Sequence, residues 1–311
     1  MSDRKLFYQS QPFRNLRPET ERAILGKKGV FSMPAALLPY RPPYQWERVL
    51  RFLASRALPR IETVDNGVYA RFVSLNGAQG RISVENAPEQ NALRVSASAS
   101  LTPALPDILN RLRVMFDLDN DPAAVYDRLK FLNEIKAGLC VAGTRSVGCF
   151  DAFETAVRTV LGQQITVKAA QTLAARFIDT LGTPLKTGTA FPLPEKIAEL
   201  PEQILIGHGI MPTRAKAISA IAKGLSDKTI DLSPAADPAT EIPKLLALPG
   251  VGPWTANYLA IRTMRVSDAF LFSDFGVKKS LAPMTVKEIK TLQEKCRPFG
   301  SYATFNLWNS L

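Results

Sequence analysis

The stretch LPGVGPWTANYLAIR, residues 248–262, gathers the side chains and turns in this sequence that could do chemistry. Glycines at 250 and 252 let the backbone turn through conformations closed to other residues and let another chain approach closely. Such a turn leaves the N–H groups at the start of the next helix unpaired, and that end of a helix favours anions. With 39 Lys and Arg against 28 Asp and Glu, a net charge of +11 and a pI near 9.7, the expected anion is a nucleic-acid phosphate. Trp254 and Tyr258, four residues apart, share one helical face, which serves either as core or as a flat surface for a base. The sequence has one histidine, His208, in the loop-like LIGHGIMP. A Ser-His or Cys-His nucleophile, a histidine-rich zinc site or a histidine base would each have to use it. A catalytic group here is therefore a carboxylate.

The elements that must carry these residues follow from periodicity. KLLALPG supplies a first helix and PWTANYLAIR a second, so the stretch reads as helix, hairpin, helix. Upstream, in DAFETAVRTVLGQQIT, Phe153, Ala156, Val157, Val160 and Leu161 form a helical stripe, with Asp151 and Glu154 spaced as a capping box. Residues 146–311 alternate helical stretches with Pro and Gly turns and are expected to be all-α. Residues 39–145 read as an α+β unit. Trp46, Val49, Leu50 and Leu53 recur at helical spacing, and ALPDILNRLRVMFDL gives a second helix. Between them GVYARFVSLNG, with Tyr69, Arg71 and Val73 on one side, GRISVEN and ALRVSASASL alternate as strands, separated by turn signals at Asn76-Gly77 and Gly80. Residues 1–38 are weakly periodic and read as an extension.

Composition narrows the classes further. The chain is 46% hydrophobic and 22% charged, with no apolar run near the ~18 residues of a membrane span. Cys140, Cys149 and Cys296 form no metal-type pair, and an odd count without a secretory signal fits a reducing cytosol. The start, MSDRKLFYQSQPFRNLRPE, has no apolar core of a signal peptide.

LPGVGPWTANYLAIR followed by DAFLFSDFGVKKSL resembles the hairpin and following aspartate of the helix-hairpin-helix DNA glycosylases, and most of all the bacterial AlkA type, 3-methyladenine DNA glycosylase II. RPPYQWERVLRFLASRA, ETVDNGVYAR, GCFDAFETAVRTVLGQQI and CRPFGSYATFNLW are similar to successive parts of that family, covering roughly residues 39–311. The resemblance implies an α+β N-terminal domain before an all-α glycosylase domain. It implies Asp274 as the catalytic carboxylate, Trp254, Tyr258 and Trp308 as walls of the base pocket, and Gln164 as the side chain that fills the gap left by a flipped nucleotide. Gly250, Val251, Gly252 and Thr255 would meet a DNA phosphate. A monovalent cation, Na or K, would rest on the backbone carbonyls of Leu246, Leu248 and Gly250, with no organic cofactor. The implied protein is a bacterial, cytoplasmic, nucleoid-associated monomer that acts on damaged bases in double-stranded DNA. Relatives that also cut the strand carry a lysine where Trp254 stands, so no lyase step is expected; nor is there the four-cysteine cluster of the iron–sulfur branch. Three positions depart from the AlkA pattern: Gln164 replaces an apolar leucine, Phe272 replaces a proline, and Gly276 is expected to loosen the helix that aims Asp274.

Overall fold

The computed structural model describes residues 35–185 and 188–311. Residues 1–34 of the expected extension lie outside the described residues. The sheet contains β1 (Ala35–Pro39), β2 (Glu62–Asp65), β3 (Val68–Leu75), β4 (Ala78–Ala87) and β5 (Ala92–Ala97), ordered β1-β5-β4-β3-β2 and antiparallel throughout. Asn66-Gly67 and Asn76-Gly77 close its two tight hairpins. All four residues have positive φ, 47° and 78° in one turn, 52° and 79° in the other, which suits the right-handed twist of the flanking strands.

Two expectations about the sheet need correction. β1 straddles the boundary drawn after residue 38, so the sheet begins four residues before residue 39, with Ala35 opposite Ser96. Gly80 is no turn: it lies inside β4, where a Cβ would come within 2.8 Å of Ser98 Cβ and 2.9 Å of Leu101 Cγ. Glycine there lets the segment after β5 pack flat on the strand.

The helices of this half are α1 (Trp46–Ala54), α2 (Leu105–Met115), α3 (Pro122–Leu129) and α4 (Leu132–Ile135). The second half contains α5 (Ala152–Leu161), α6 (Val167–Leu181), α7 (Pro194–Ala198), α8 (Glu202–Gly207), α9 (Pro212–Ser226), α10 (Pro238–Ala247), α11 (Pro253–Arg262), α12 (Phe275–Ser280), α13 (Val286–Cys296) and α14 (Gly300–Trp308). Proline opens α3, α7, α9, α10 and α11, at a position where its missing N–H costs no hydrogen bond. The second half is not wholly helical. A ribbon of two-residue strands, β6 (Thr183–Pro184) and β7 (Thr189–Ala190), lies against β3.

The hydrophobic cores do not follow the two halves of the sequence. One joins the sheet, α1 and α2 to Phe270, Leu271, Val277, Leu281, Ile289 and Phe305 of the last three helices and the loop before them. The other gathers α5, α6, α9 and α10. Helix α11 belongs to both: Ala256, Leu259 and Ala260 enter the second, while Ile261 enters the first. Helix α11 is therefore where the two cores meet.

Candidate active site

The hairpin between α10 and α11 turns on Gly250, whose φ of +73° lies in the left-handed region. A Cβ there would come within 3.0 Å of Ala217 Cβ and of the Thr213 carbonyl oxygen on α9. The fold itself requires this glycine. Gly252 is different: its φ is −95°, and a Cβ would meet nothing within 4 Å. Among the described residues, the N–H groups of Gly250, Gly252, Trp254 and Thr255 donate to no acceptor. Unpaired donors at a helix N-terminus, where the helix dipole is positive, form an anion-attracting surface.

Not all four expected phosphate contacts are equivalent. The Val251 N–H is taken by the Leu248 carbonyl at 3.2 Å, and its side chain is buried. Thr255 is only 3% exposed, and its hydroxyl accepts from Gln163 Nε2 at 2.9 Å, so it can offer an anion only its backbone N–H. Gln163 Nε2 also donates to the Gly250 carbonyl at 2.9 Å. With the Leu248 carbonyl held by Val251, two of the three carbonyls expected to hold a cation already accept one hydrogen bond. Each keeps a second lone pair, so the donor set still fits such an ion.

Asp274 stands at the N-cap of α12, where Oδ1 accepts from the Val277 N–H at 3.0 Å. Two indoles complete its shell: Trp308 Nε1 donates to Oδ1 at 2.8 Å and Trp254 Nε1 donates to Oδ2 at 3.0 Å. The carboxylate is thus clamped from α11, α12 and α14, half-buried, with one lone-pair direction of Oδ2 unused by these contacts. Gly276 does not loosen this arrangement. A Cβ there would come within 2.9 Å of Trp308 Cδ1 and 3.1 Å of Asp274 Oδ1, so the bare backbone is what lets Trp308 reach the carboxylate.

The three expected aromatics form one cluster. Trp254 stacks on Tyr258 with centroids 5.2 Å apart and planes at 25°, and Tyr258 lies 6.0 Å from Trp308. A base between two rings needs two contacts of roughly 3.5 Å each, so none fits between Trp254 and Tyr258. A flat ligand can meet these rings only on the outer side of the cluster. The other domain joins the cluster: Phe52 of α1 stacks on Trp308 at 6.1 Å and 17°. Arg262 Nη1 donates to Tyr258 Oη at 2.7 Å, and the guanidinium groups of Arg56 and Arg262 lie 3.9 and 4.7 Å from the Phe52 ring centre. Burial pushes the Tyr258 phenol up, but Arg262 and Arg56 outweigh it and hold the phenol below its ordinary value.

Gln164 lies in the α5–α6 turn, exposed and with φ +56°, next to Gln163, whose side chain reaches the hairpin. Phe272 is half-buried against the first core, its ring capped by the Lys290 ammonium at 4.7 Å. Phe52, Arg56, Arg262 and Gln163 were not anticipated as site residues. Phe52 falls off the Trp46, Val49, Leu50, Leu53 stripe, and its partner Trp308 is remote in sequence. Only the tandem glutamines of LGQQ gave a local sign that two side chains would be used at the turn.

Two family models match in tandem, the AlkA N-terminal domain over residues 36–151 and the HhH-GPD superfamily base excision DNA repair protein over residues 157–296. DNA-3-methyladenine glycosylase 2 of Escherichia coli strain K12 is 33% identical over 274 residues, spanning 87% of this chain and 95% of its own. The chain belongs to the AlkA-type DNA-3-methyladenine glycosylase family. A probable bifunctional transcriptional activator/DNA repair enzyme AlkA of Mycobacterium tuberculosis is 35% identical over 285 residues; this chain spans 56% of that longer relative. The fold matches the 3-methyladenine DNA-glycosylase from Archaeoglobus fulgidus with a TM-score of 0.69 at 20% identity, covering 88% of this chain and 96% of that one. In this AlkA-type chain Trp254 and Trp308 bring Asp274 and the aromatic cluster together at the start of α11, next to the hairpin.

Proposed function

We propose that the protein is a monofunctional DNA glycosylase that flips alkylated purines, 3-methyladenine and 7-methylguanine among them, out of duplex DNA and hydrolyses their N-glycosidic bonds. The observation that carries this reading is the Asp274 carboxylate, fixed by Trp254, Trp308 and the Val277 N–H at the edge of an aromatic cluster. Breaking the bond builds positive charge on the deoxyribose, and a fixed anion in a partly dry cleft favours that state over the neutral ground state. An N-alkylated purine already carries positive charge and leaves without a general acid. Aromatic faces attract it by stacking and cation–π contact, on the order of 1–3 kcal/mol per base.

The unpaired N–H groups at Gly250, Gly252, Trp254 and Thr255 would take a DNA phosphate, and Gln164 would enter the duplex as the base leaves it. A monovalent cation on the Leu246, Leu248 and Gly250 carbonyls would brace the hairpin without entering the chemistry. With Trp254 where a lyase would carry its lysine, the product is an abasic site. Among the described residues no helix is long and apolar enough to cross a membrane, and the partner is double-stranded DNA.

A second reading, release of a neutral lesion such as hypoxanthine, is favoured by the Arg262 and Arg56 cations behind Tyr258, which repel a cationic base. One experiment addresses both: chromatography of bases released from methylated and from inosine-containing duplex DNA, with Asp274→Asn beside wild type. The expected result is release of 3-methyladenine and 7-methylguanine, reduced on the order of 100-fold or more in the variant, with abasic-DNA binding intact. Release of hypoxanthine alone would favour the second reading, and no release of any base would overturn both.

A further inference from the structure

Gln163, the neighbour of the expected intercalating residue, makes contacts that no step of the proposed reaction uses. Its side-chain amide donates one hydrogen to the Gly250 carbonyl and one to Thr255 Oγ1, both at 2.9 Å. Its own carbonyl accepts from Arg214 Nη2 of α9 at 2.6 Å, and its N–H caps the end of α5 through the Val160 carbonyl at 3.2 Å. One half-buried residue therefore joins the α5–α6 turn to the hairpin, to the first turn of α11 and to α9.

Both acceptors sit where an anion would be gripped. Gly250 is the left-handed residue on which the hairpin turns, and Thr255 offers one of the unpaired N–H groups. Directly after Gln163, Gln164 is exposed at φ +56°, a conformation that non-glycine residues adopt only where surrounding contacts hold them. Beyond it Thr166 caps α6, accepting from the Ala169 N–H at 3.2 Å. The turn is anchored on both sides of the exposed pair Gln164 and Ile165.

We propose that Gln163 is a positioning residue that locks the α5–α6 turn onto the hairpin, so that gripping the DNA backbone and inserting Gln164 into the duplex become one rigid-body event. The inference rests on the glycosylase reading above. It makes Gln163 act through Gln164, without touching the base or the phosphate itself. Removing the amide donors while keeping length and volume would leave the hairpin able to bind DNA but would let Gln164 swing.

The test is a double-mutant cycle with Gln163→Met, Gln164→Ala and the combined variant, each read in two ways. One reading is single-turnover base release from methylated duplex DNA; the other is fluorescence of 2-aminopurine placed beside the lesion, which rises when the base is unstacked. Each single variant is expected to lower release about 10-fold and to suppress the fluorescence rise. The double variant should fall no more than about 2-fold further, since side chains acting as one unit are not additive. Losses that multiply towards ~100-fold would overturn the proposal, because Gln163 would then support the fold independently of Gln164. A Gln163→Met variant that behaves as wild type in both readings would overturn it as well. Should Gln163→Met fail to fold, the isosteric Gln163→Glu, which removes both donors, takes its place in the same cycle. If wild type released no base, the glycosylase reading would fail, while the fluorescence arm would still report on Gln163.

Discussion

At the scale of single residues, Asp274 caps a helix while two indoles fix its carboxylate. Its Oδ1 takes the Val277 N–H and the Trp308 indole, so the helix cap also sets the direction of the carboxylate. Gly276 is the permissive partner in that arrangement. Gly276→Ala brings a methyl group within 2.9 Å of the Trp308 ring, and the ring, held on its other sides by Phe52 and Phe305, has no slack. Overpacking of this kind costs roughly 1–3 kcal/mol of stability; relieving it by moving Trp308 removes the indole bond to Asp274, worth about 1.4 kcal/mol, so base release should fall about 10-fold, with a shift in tryptophan emission. Unchanged rate and emission would mean the ring is not confined. The aspartate and the three aromatics could be picked out in the sequence because they lie in or after a recognisable motif. The reason for Gly276 could not, because the atom it makes room for is 32 residues away.

At the scale of elements, the two hairpin glycines have separate physical roles, and substitution should separate them. Gly250→Ala meets both a left-handed φ and contacts at 3.0 Å, and should destabilise the protein by roughly 1–3 kcal/mol. Gly252→Ala meets neither, so the melting temperature should hold while affinity for duplex DNA falls, because the added methyl stands where a DNA backbone would approach. Thermal melts and DNA titrations of the two variants check this; equal effects on stability would refute the division. The stripe in α5 and the helix-hairpin-helix were readable from spacing alone. The capping box at Asp151 was only half right: Asp151 accepts from the Glu154 N–H at 2.7 Å, but the Glu154 side chain turns away to Arg71 and Arg158. A reciprocal box forms instead at Thr285 and Glu288, where no buried cation competes for the glutamate.

At the scale of the whole molecule, that diverted glutamate joins the two domains. Glu154 of α5 pairs with Arg71 of β3 at 2.8 Å and with Arg158 at 2.7 Å, while Arg158 reaches Glu62 of β2 at 2.9 Å and the Arg56 carbonyl. Tyr69 Oη donates to Glu62 at 2.7 Å. Burial pushes the Glu154 carboxyl up, but Arg71 and Arg158 outweigh it and hold it below the usual value. A depressed folded-state value means the contribution is present above the unfolded value of about 4.3 and is lost as pH falls through the folded one. Glu154→Gln leaves the buried Arg71 guanidinium without its carboxylate and the half-buried Arg158 with Glu62 alone, and should cost about 3–5 kcal/mol at neutral pH. Denaturant unfolding at pH 7 and at about pH 3, below the unfolded value, should show a smaller loss on acidification in the variant than in wild type. A variant as stable as wild type at pH 7 would rule out this cluster as a domain clamp.

The sequence by itself determined the class of the protein: an antiparallel α+β unit, a helical unit, and a glycine hairpin opening a helix in a strongly basic chain. Those features rest on local periodicity, turn residues and net charge, which neighbouring residues specify among themselves. The tertiary structure alone decided that Trp254 and Trp308 clamp Asp274, that Phe52 of the N-terminal domain stacks on Trp308, and that Gln163 ties the α5–α6 turn to the hairpin. These contacts join residues 20 to 256 positions apart. They depend on how two hydrophobic cores share α11, and no local pattern in the chain encodes that.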